Sequence, residues 1–171
     1  MTSPASASYL VRQDPCEAQV KIIGRATHLN CRPVGRFLRL ALNRGVERLY
    51  VDFAECQGMD STFLGMIASS AMQARGSQCK PRIILTRLGD RNFQLIRNLG
   101  IGPLVETSAE APPKMETLED QLEAESSAKS DILEAHESLV AADEANREKF
   151  ENVLTFLRKE VDPDGNPDLV D

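Results

Sequence analysis

The stretch VDFAECQGMDSTFLGMIASSAMQARG, residues 51–76, decides the fold because it changes from a strand pattern to a helix pattern. Residues 46–53 are mostly apolar, which predicts a strand buried on both sides, as in the centre of a parallel sheet. Residues 61–75 are rich in small apolar side chains and predict a helix that ends at Gly76. The small polar tripeptide D-S-T at 60–62 therefore lies where the strand passes into the helix.

The alternation of strand and helix patterns extends over the first two thirds of the chain. Residues 17–24 alternate apolar and polar side chains, which predicts a half-buried strand. Residues 34–42 repeat apolar side chains three and four positions apart, which predicts a helix with one apolar face. The predicted order is strands at 17–24, 46–53, 81–88 and 103–106, with helices at 34–42, 61–75 and 90–99 between them. This order predicts an α/β domain with right-handed crossovers around a small sheet that contains parallel pairs.

The composition changes after residue 106, and we place the boundary between two parts of the chain there. Residues 1–106 contain 14 Lys or Arg against 8 Asp or Glu, a net charge of +6. Residues 107–171 contain 6 against 18, a net charge of −12. The sequence thus predicts a folded domain at 1–106 and an acidic extension at 107–171.

The acidic extension is predicted to be mostly helical. Residues 107–114 have linker composition, 115–142 predict a helix with a weaker middle, and Asp143 is a candidate cap for a further helix before a frayed end. The apolar face of that last helix comprises Phe150, Val153, Leu154 and Leu157. An apolar face must be covered, so either the helices fold back on the oppositely charged domain, or they self-associate or capture a partner.

Several classes of function are disfavoured by composition. No apolar run approaches the roughly 20 residues that span a bilayer, so we expect a cytoplasmic protein without a membrane partner. The basic residues are scattered and no aromatic-basic motif accompanies them, which argues against nucleic acid as a partner. The four cysteines and two histidines are dispersed, which predicts no metal site. Asp52 and Glu55 have no nucleophile and base beside them, so we expect no enzymatic activity.

The tripeptide at 60–62 carries the clearest functional signal. Asp60 is a candidate N-cap, which places Ser61 and Thr62 in the first turn of the helix. The backbone N–H groups there lack intrahelical acceptors and form the positive end of the helix dipole. A phosphoryl group on a hydroxyl at this position would be partly compensated by those amides. The alternative is that the three residues only cap the helix, and spacing alone favours that alternative.

The segment V-D-F-A-E-C-Q-G-M-D-S-T-F-L-G-M-I-A resembles the signature of STAS domains, particularly that of bacterial anti-sigma factor antagonists, which reads approximately D-S-[ST]-G-L-G after an apolar strand. Gly24 matches the glycine after the early strand and Gly76 the glycine after the signature helix. The segment R-N-F-Q-L-I-R-N-L-G-I resembles the late helix of the family, so the resemblance covers residues 17–106 in order. It implies a STAS-like α/β fold, a small mixed or parallel sheet with packed helices, here followed by the acidic helical extension.

The resemblance also implies a function. Ser61 matches the serine that is phosphorylated in the family. The unmodified protein would bind a serine kinase anti-sigma factor and so release a sigma factor, and a PP2C-type phosphatase would reverse the phosphorylation. The chain would be a substrate and ligand with no catalytic residue, no cofactor and no metal. The alternative is a STAS scaffold that is not phosphorylated and serves a signalling or envelope-related assembly.

Five residues around Ser61 are predicted partner contacts. Asp60 and Thr62 flank the serine in the signature. Phe63 stands where the family usually has glycine, either as an exposed docking contact or as an obstacle that narrows kinase access. Thr27 replaces an acidic residue that often contacts the kinase in the family, and His28 follows it in the same loop. For His28 the sequence identifies no acidic neighbour, so an ordinary loop residue is the simpler interpretation.

Overall fold

In the residues that the structure describes, the fold is built on one mixed sheet of six strands. The computed structural model describes residues 7–114 and 120–164. Its strands are β1 (Ser8–Gln13), β2 (Glu17–Ala26), β3 (Arg48–Met59), β4 (Arg82–Thr86), β5 (Glu106–Ser108) and β6 (Asp120–Leu122). Their order in the sheet is β5-β4-β3-β2-β1-β6. The four strands β2 to β5 pair in parallel, whereas β1 is antiparallel to both β2 and β6. The predicted α/β class with a small mixed sheet is confirmed.

Within residues 7–114 and 120–164, five helices accompany the sheet. They are α1 (Arg32–Asn43), α2 (Ser61–Gly76), α3 (Asp90–Asn98), α4 (Lys129–Ala142) and α5 (Asn146–Val161), and a 3-10 turn covers Gly102–Leu104. Helices α1 and α2 pack side by side next to the sheet, α4 packs over α2, and α5 packs on α4. Helix α2 is therefore a middle layer, which explains why its residues are small and apolar on nearly every side.

The core joins β3 to α2. Val51 and Phe53 on β3 are almost fully buried, as are Phe63 and Ile67 on α2. The rings of Phe53 and Phe63 meet edge to face, with centroids 6.5 Å apart. Burial of each such side chain contributes about 1.5–3 kcal/mol, so this contact holds the start of α2 firmly against the middle of β3.

The strands differ from the prediction in three places. Strand β3 continues beyond Phe53 to Met59, because β2 is also longer and pairs with it as far as Ala26. Strand β1 lies before the first predicted strand and was not predicted, and it buries Tyr9 and Val11 against the core. The last parallel strand was predicted at 103–106 but lies at Glu106–Ser108, because a 3-10 turn forms at Gly102–Leu104.

The acidic extension contributes both to the sheet and to the helical layers. Strand β6 lies inside the segment predicted as a helix from 115 to 142, so that helix is shorter than predicted and begins at Lys129; residues 115–119 lie outside the described part. Asp143 caps the end of α4 instead of starting α5. The predicted fold-back on the domain is confirmed by the packing of α4 over α2. Self-association stays a prediction; Val153 and Phe156 on α5 are exposed.

Candidate partner-binding site at the start of helix α2

Asp60 begins helix α2 as the sequence predicts. Its backbone is extended, and its Oδ1 accepts a hydrogen bond from the Phe63 backbone N–H at 3.0 Å. Its other oxygen, Oδ2, accepts from the backbone N–H of His28 at 2.8 Å and lies 2.9 Å from Nδ1 of the same residue. The carboxylate thus joins the loop after β2 to the first turn of α2. The prediction of an N-cap is confirmed, and the acidic neighbour of His28 is one that the sequence did not identify.

Ser61 is partly buried in the first turn of α2, beneath α4. Its Oγ lies 2.9 Å from Nε2 of His136, a buried residue of α4. Nδ1 of the same ring is 2.7 Å from the Ile132 carbonyl oxygen, which can only accept, so Nδ1 carries the proton of the neutral ring. Nε2 is then the acceptor, and the Ser61 hydroxyl donates to it. The ring of Phe150 packs edge-on against the histidine, with ring centroids 5.0 Å apart.

The loop that carries Thr27 and His28 lies beside the start of α2. The Thr27 carbonyl accepts from the backbone N–H groups of Asn30 and Cys31, at 3.0 Å each, which makes the loop a compact turn. The Asn30 side chain is buried and fixes the turn from inside: Oδ1 accepts from the Tyr9 hydroxyl at 2.6 Å and from the Thr27 N–H at 3.0 Å. Burial raises the pKa of that Tyr9 hydroxyl, so it stays a donor.

Two of the predicted partner contacts face the interior in this structure. Phe63 was predicted either as an exposed docking contact or as an obstacle to kinase access, but its side chain is completely buried against Phe53, because the first turn of α2 points it into the core. Thr62 is also buried, with an exposed fraction of 5%. We therefore remove both residues from the candidate surface. Of the remaining predicted contacts, His28 is exposed, while Asp60 and Thr27 are partly exposed.

Residues 125–142, which we name the cover segment, lie over this region. Ser127 donates its backbone N–H to the His28 carbonyl at 2.6 Å, and the Ser126 hydroxyl donates to the Leu29 carbonyl at 3.1 Å. Cys31 and Glu125 form an isolated parallel β-bridge. Further along, α4 carries His136 to Ser61. The acidic extension thus contacts both the predicted phosphorylation site and the predicted contact loop.

Opposite charges align the cover segment on α1. Three arginines project from α1 at one-turn intervals, and each pairs with a carboxylate of the segment. The pairs are Arg32 with Glu125 and Asp131, Arg36 with Glu125, and Arg39 with Glu134, at 2.8–3.5 Å. Their side chains are about one third to two thirds exposed, so each pair is worth less than about 1 kcal/mol. Together these ion pairs set the orientation of the cover segment on α1 and contribute little to the free energy of its binding.

Glycine at position 65 lets the two helices approach. A Cβ atom at this position would lie 2.1 Å from the carbonyl oxygen of Ala135, and 2.4 Å from its carbonyl carbon. Backbone therefore packs directly on backbone where α4 crosses α2. Gly65 matches the second glycine of the D-S-[ST]-G-L-G signature, and here it serves the contact with the extension.

Other kinds of site are not apparent in the described residues. Within residues 7–114 and 120–164, no group of three or more His, Cys, Asp or Glu is arranged to hold a metal ion. No helix in that part of the chain is long and apolar enough to cross a membrane.

The family model described as "Mlab, STAS domain" matches residues 9–106. Because this match covers more than half of the chain, the chain belongs to that STAS family. The family assignment made from the signature is confirmed.

Solved structures with this fold include anti-sigma factor antagonists. SpoIIAA in its unphosphorylated form gives a TM-score of 0.51 and 14% identity, over 63% of this chain and 93% of that one. The phosphorylated form, described as a Bacillus cell fate determinant, gives 0.50 and 16%, over 60% and 92%. An anti-sigma factor antagonist from Mycobacterium paratuberculosis gives 0.55 and 13%, over 70% and 100%. At these identities the likeness establishes a common fold. No curated protein matches the sequence.

Proposed function

We propose that this chain is a cytoplasmic partner-switching regulator of the anti-sigma factor antagonist type, with Ser61 as its phosphorylated residue. In the unmodified form it binds a serine kinase anti-sigma factor, and a sigma factor is released. The kinase transfers a phosphoryl group to Ser61 and the partner dissociates. A PP2C-type phosphatase restores the first state. The chain acts as substrate and ligand and catalyses no reaction of its own.

The observation that carries this proposal is the position of the Ser61 hydroxyl at the start of α2. The first-turn amides of a 16-residue helix favour an anion there, and they would partly compensate the roughly −1.5 to −2 charge of a phosphoryl group. The Asp60 carboxylate, already hydrogen-bonded to Phe63 and His28, would repel that charge. Phosphorylation would therefore leave the fold intact while it changes the charge and the hydrogen bonding of the surface around the serine.

The solved neighbours support the same proposal. SpoIIAA is described in an unphosphorylated and a phosphorylated form, so this fold accommodates the modification in that protein. In the present chain His28 and Thr27 lie next to the serine, in the loop that Asp60 fastens to α2. A partner that contacts this loop would sense a phosphoryl group on Ser61.

A scaffold that is not phosphorylated is the second candidate. It is favoured by one specific observation, the engagement of Ser61 by His136 beneath α4. In that role the Ser61 hydroxyl would only fasten α4, and partner binding would not depend on its modification.

Affinity capture with the wild-type protein, Ser61→Ala and Ser61→Glu separates the two candidates. The captured partner is identified and then tested for its ability to phosphorylate each protein. The switch predicts a kinase-like partner that is retained by wild type and Ser61→Ala, lost by Ser61→Glu, and able to add one phosphoryl group to wild type only. Thr155→Glu adds the same charge at an exposed position of α5 and should retain the partner. Equal capture by all four proteins would refute the switch and leave the scaffold.

A further inference from the structure

We infer that the cover segment, residues 125–142, is an intramolecular ligand of the STAS domain, and that it must leave the face formed by α1 and α2 before any protein can reach Ser61. This inference deepens the proposed function, and rests on it only in naming Ser61 as the residue to be modified. The cover segment thus occupies the face formed by α1 and α2, and a partner protein competes with it for that face.

The first reason is that the cover segment makes contacts typical of a bound peptide. At its start it pairs with the loop after β2 through backbone hydrogen bonds, with Ser127 donating to His28 and Arg32 donating to Glu125 at 3.3 Å. Near its other end, Nε2 of His136 accepts a hydrogen bond from the Ser61 hydroxyl. The contacts therefore cover two of the elements that the sequence marks for partner binding.

The second reason is that the only oxygen of Ser61 able to accept a phosphoryl group already has a direct partner. A phosphoryl group on Oγ would replace the hydrogen that this atom donates to Nε2 of His136 at 2.9 Å, so the hydrogen bond between Ser61 and α4 would be lost. Two contacts hold the ring in this position: Nδ1 lies 2.7 Å from the Ile132 carbonyl oxygen, and the Phe150 ring packs nearly perpendicular to it, with centroids 5.0 Å apart. A kinase that closes around Oγ would therefore compete with α4 for this side of Ser61.

The third reason is that the α1 side of the interface is polar, whereas the α2 side buries Leu139 of α4 against the core. A cavity of about 170 Å³ lies between α1, α2 and α4, lined by charged, polar and a few apolar side chains. Interfaces that separate in function are more polar than a domain core. The arginines at 32, 36 and 39, which pair with the segment, would be free to bind carboxylates of a partner after it leaves.

The test is alkylation of a thiol introduced at position 61, which needs no identified partner. The full-length Ser61→Cys protein is treated with iodoacetamide, and modification is followed by peptide mass spectrometry. The exposed Cys79 reports the intrinsic rate in the same sample. If opening and closing are fast, the rate at position 61 follows the population of the open state.

Two further variants move the cover segment in opposite directions. Glu125→Lys turns two ion pairs into repulsions and should raise the rate at position 61 about tenfold. Glu123→Lys makes the same charge change at a neighbouring exposed position and should leave the rate unchanged. Ser127→Cys places a second sulfur close to Cys31, whose Sγ lies 3.5 Å from the Ser127 Oγ, so that oxidation ties the segment down. In the oxidised protein the rate should fall about tenfold, and reduction should restore it.

Equal rates at position 61 in the Glu125→Lys, Glu123→Lys and oxidised proteins would overturn the inference, because Ser61 would then be reached with the segment in place. Amide hydrogen exchange of α4 in the wild-type and Glu125→Lys proteins gives a second readout that does not involve position 61. The expected result is faster exchange in Glu125→Lys, and unchanged exchange would contradict the inference. Failure of the proposed function looks different: the alkylation pattern holds, but no kinase phosphorylates Ser61.

Discussion

Substitution of Gly65 by alanine tests the central contact between the STAS domain and its extension. The added Cβ would lie 2.1 Å from the Ala135 carbonyl oxygen and 2.8 Å from the Ala135 Cα, both of which are backbone atoms of α4. A carbon and a carbonyl oxygen tolerate about 3.3 Å at closest approach, so α4 must move away by about 1 Å. No side-chain rotation can relieve the overlap.

The expected cost follows from what that movement weakens. Overpacking of this kind costs about 1–3 kcal/mol, and loss of the hydrogen bond between Ser61 and His136 adds about 1 kcal/mol. Alanine in a helix interior is about 1 kcal/mol better than glycine, which offsets part of the loss. The net expectation is a decrease of about 1–3 kcal/mol in the free energy of unfolding, or about 2–12 °C in the melting temperature.

The assay is urea unfolding of the full chain, together with amide hydrogen exchange of α4. Gly76→Ala is the matched control, because it lies on the same helix and its added Cβ would meet no atom within 4 Å. We expect the control to change stability little, and Gly65→Ala to lower it while the α4 amides exchange faster.

A Gly65→Ala protein that is as stable as wild type, with α4 amides equally protected, would refute the reasoning. The gain in helix propensity would then be the only effect, which means that α4 does not pack on α2 at this point. Loss of stability with α4 still protected would place the strain inside the core instead, and would also contradict the expected mechanism.

Two further predictions concern buried polar groups. Burial raises the pKa of the Cys31 thiol from 9.0 to about 11. The contribution of this shift to the free energy of unfolding is fully present below about pH 9 and is lost as the pH rises to about 11. Urea unfolding from about pH 8 to about pH 10.5 should show Cys31→Ala losing less stability than wild type, by at most about 2–3 kcal/mol; equal losses would contradict this. The buried Asn146 Nδ2 donates to the carbonyls of Leu99 and Leu139 at 2.9 and 2.7 Å. Asn146→Asp should cost about 2–4 kcal/mol in urea unfolding because a carboxylate would face two carbonyl oxygens, whereas the exposed Asn152→Asp should cost little; equal stabilities would refute this reason.

The parallel half of the fold was predictable because its signals are local. Buried parallel strands are apolar throughout, and helices between them carry apolar residues at helical spacing. Strand β1 was missed because Ser8–Gln13 has three apolar residues in a row flanked by polar ones, and β6 because Asp120–Leu122 is mostly polar and three residues long. Both strands depend on pairing with a neighbour distant in sequence, for which a single short segment carries little signal.

The candidate site was predicted in part for the same reason. Asp60 as N-cap and the first-turn position of Ser61 follow from neighbouring residues, and the structure confirms both. The burial of Phe63 was not predicted, because the direction of a first-turn side chain depends on where β3 ends. The family usually has glycine at this position, so the resemblance gave no guide to where the side chain points. The sequence contained one signal that the cover segment packs on α2. This helix is apolar on nearly all sides, which indicates that a second layer lies over it.

What the sequence by itself determined is the class of domain, the helix that carries Ser61 and the charge difference between the two parts of the chain, since all three are properties of local pattern and composition. Only the tertiary structure decided that His136 lies on Ser61, 75 positions away along the chain. That contact arises because Gly65 admits the backbone of α4 and the α1 arginines orient the cover segment. Such a contact depends on the packing of whole helices, which no stretch of sequence near Ser61 encodes.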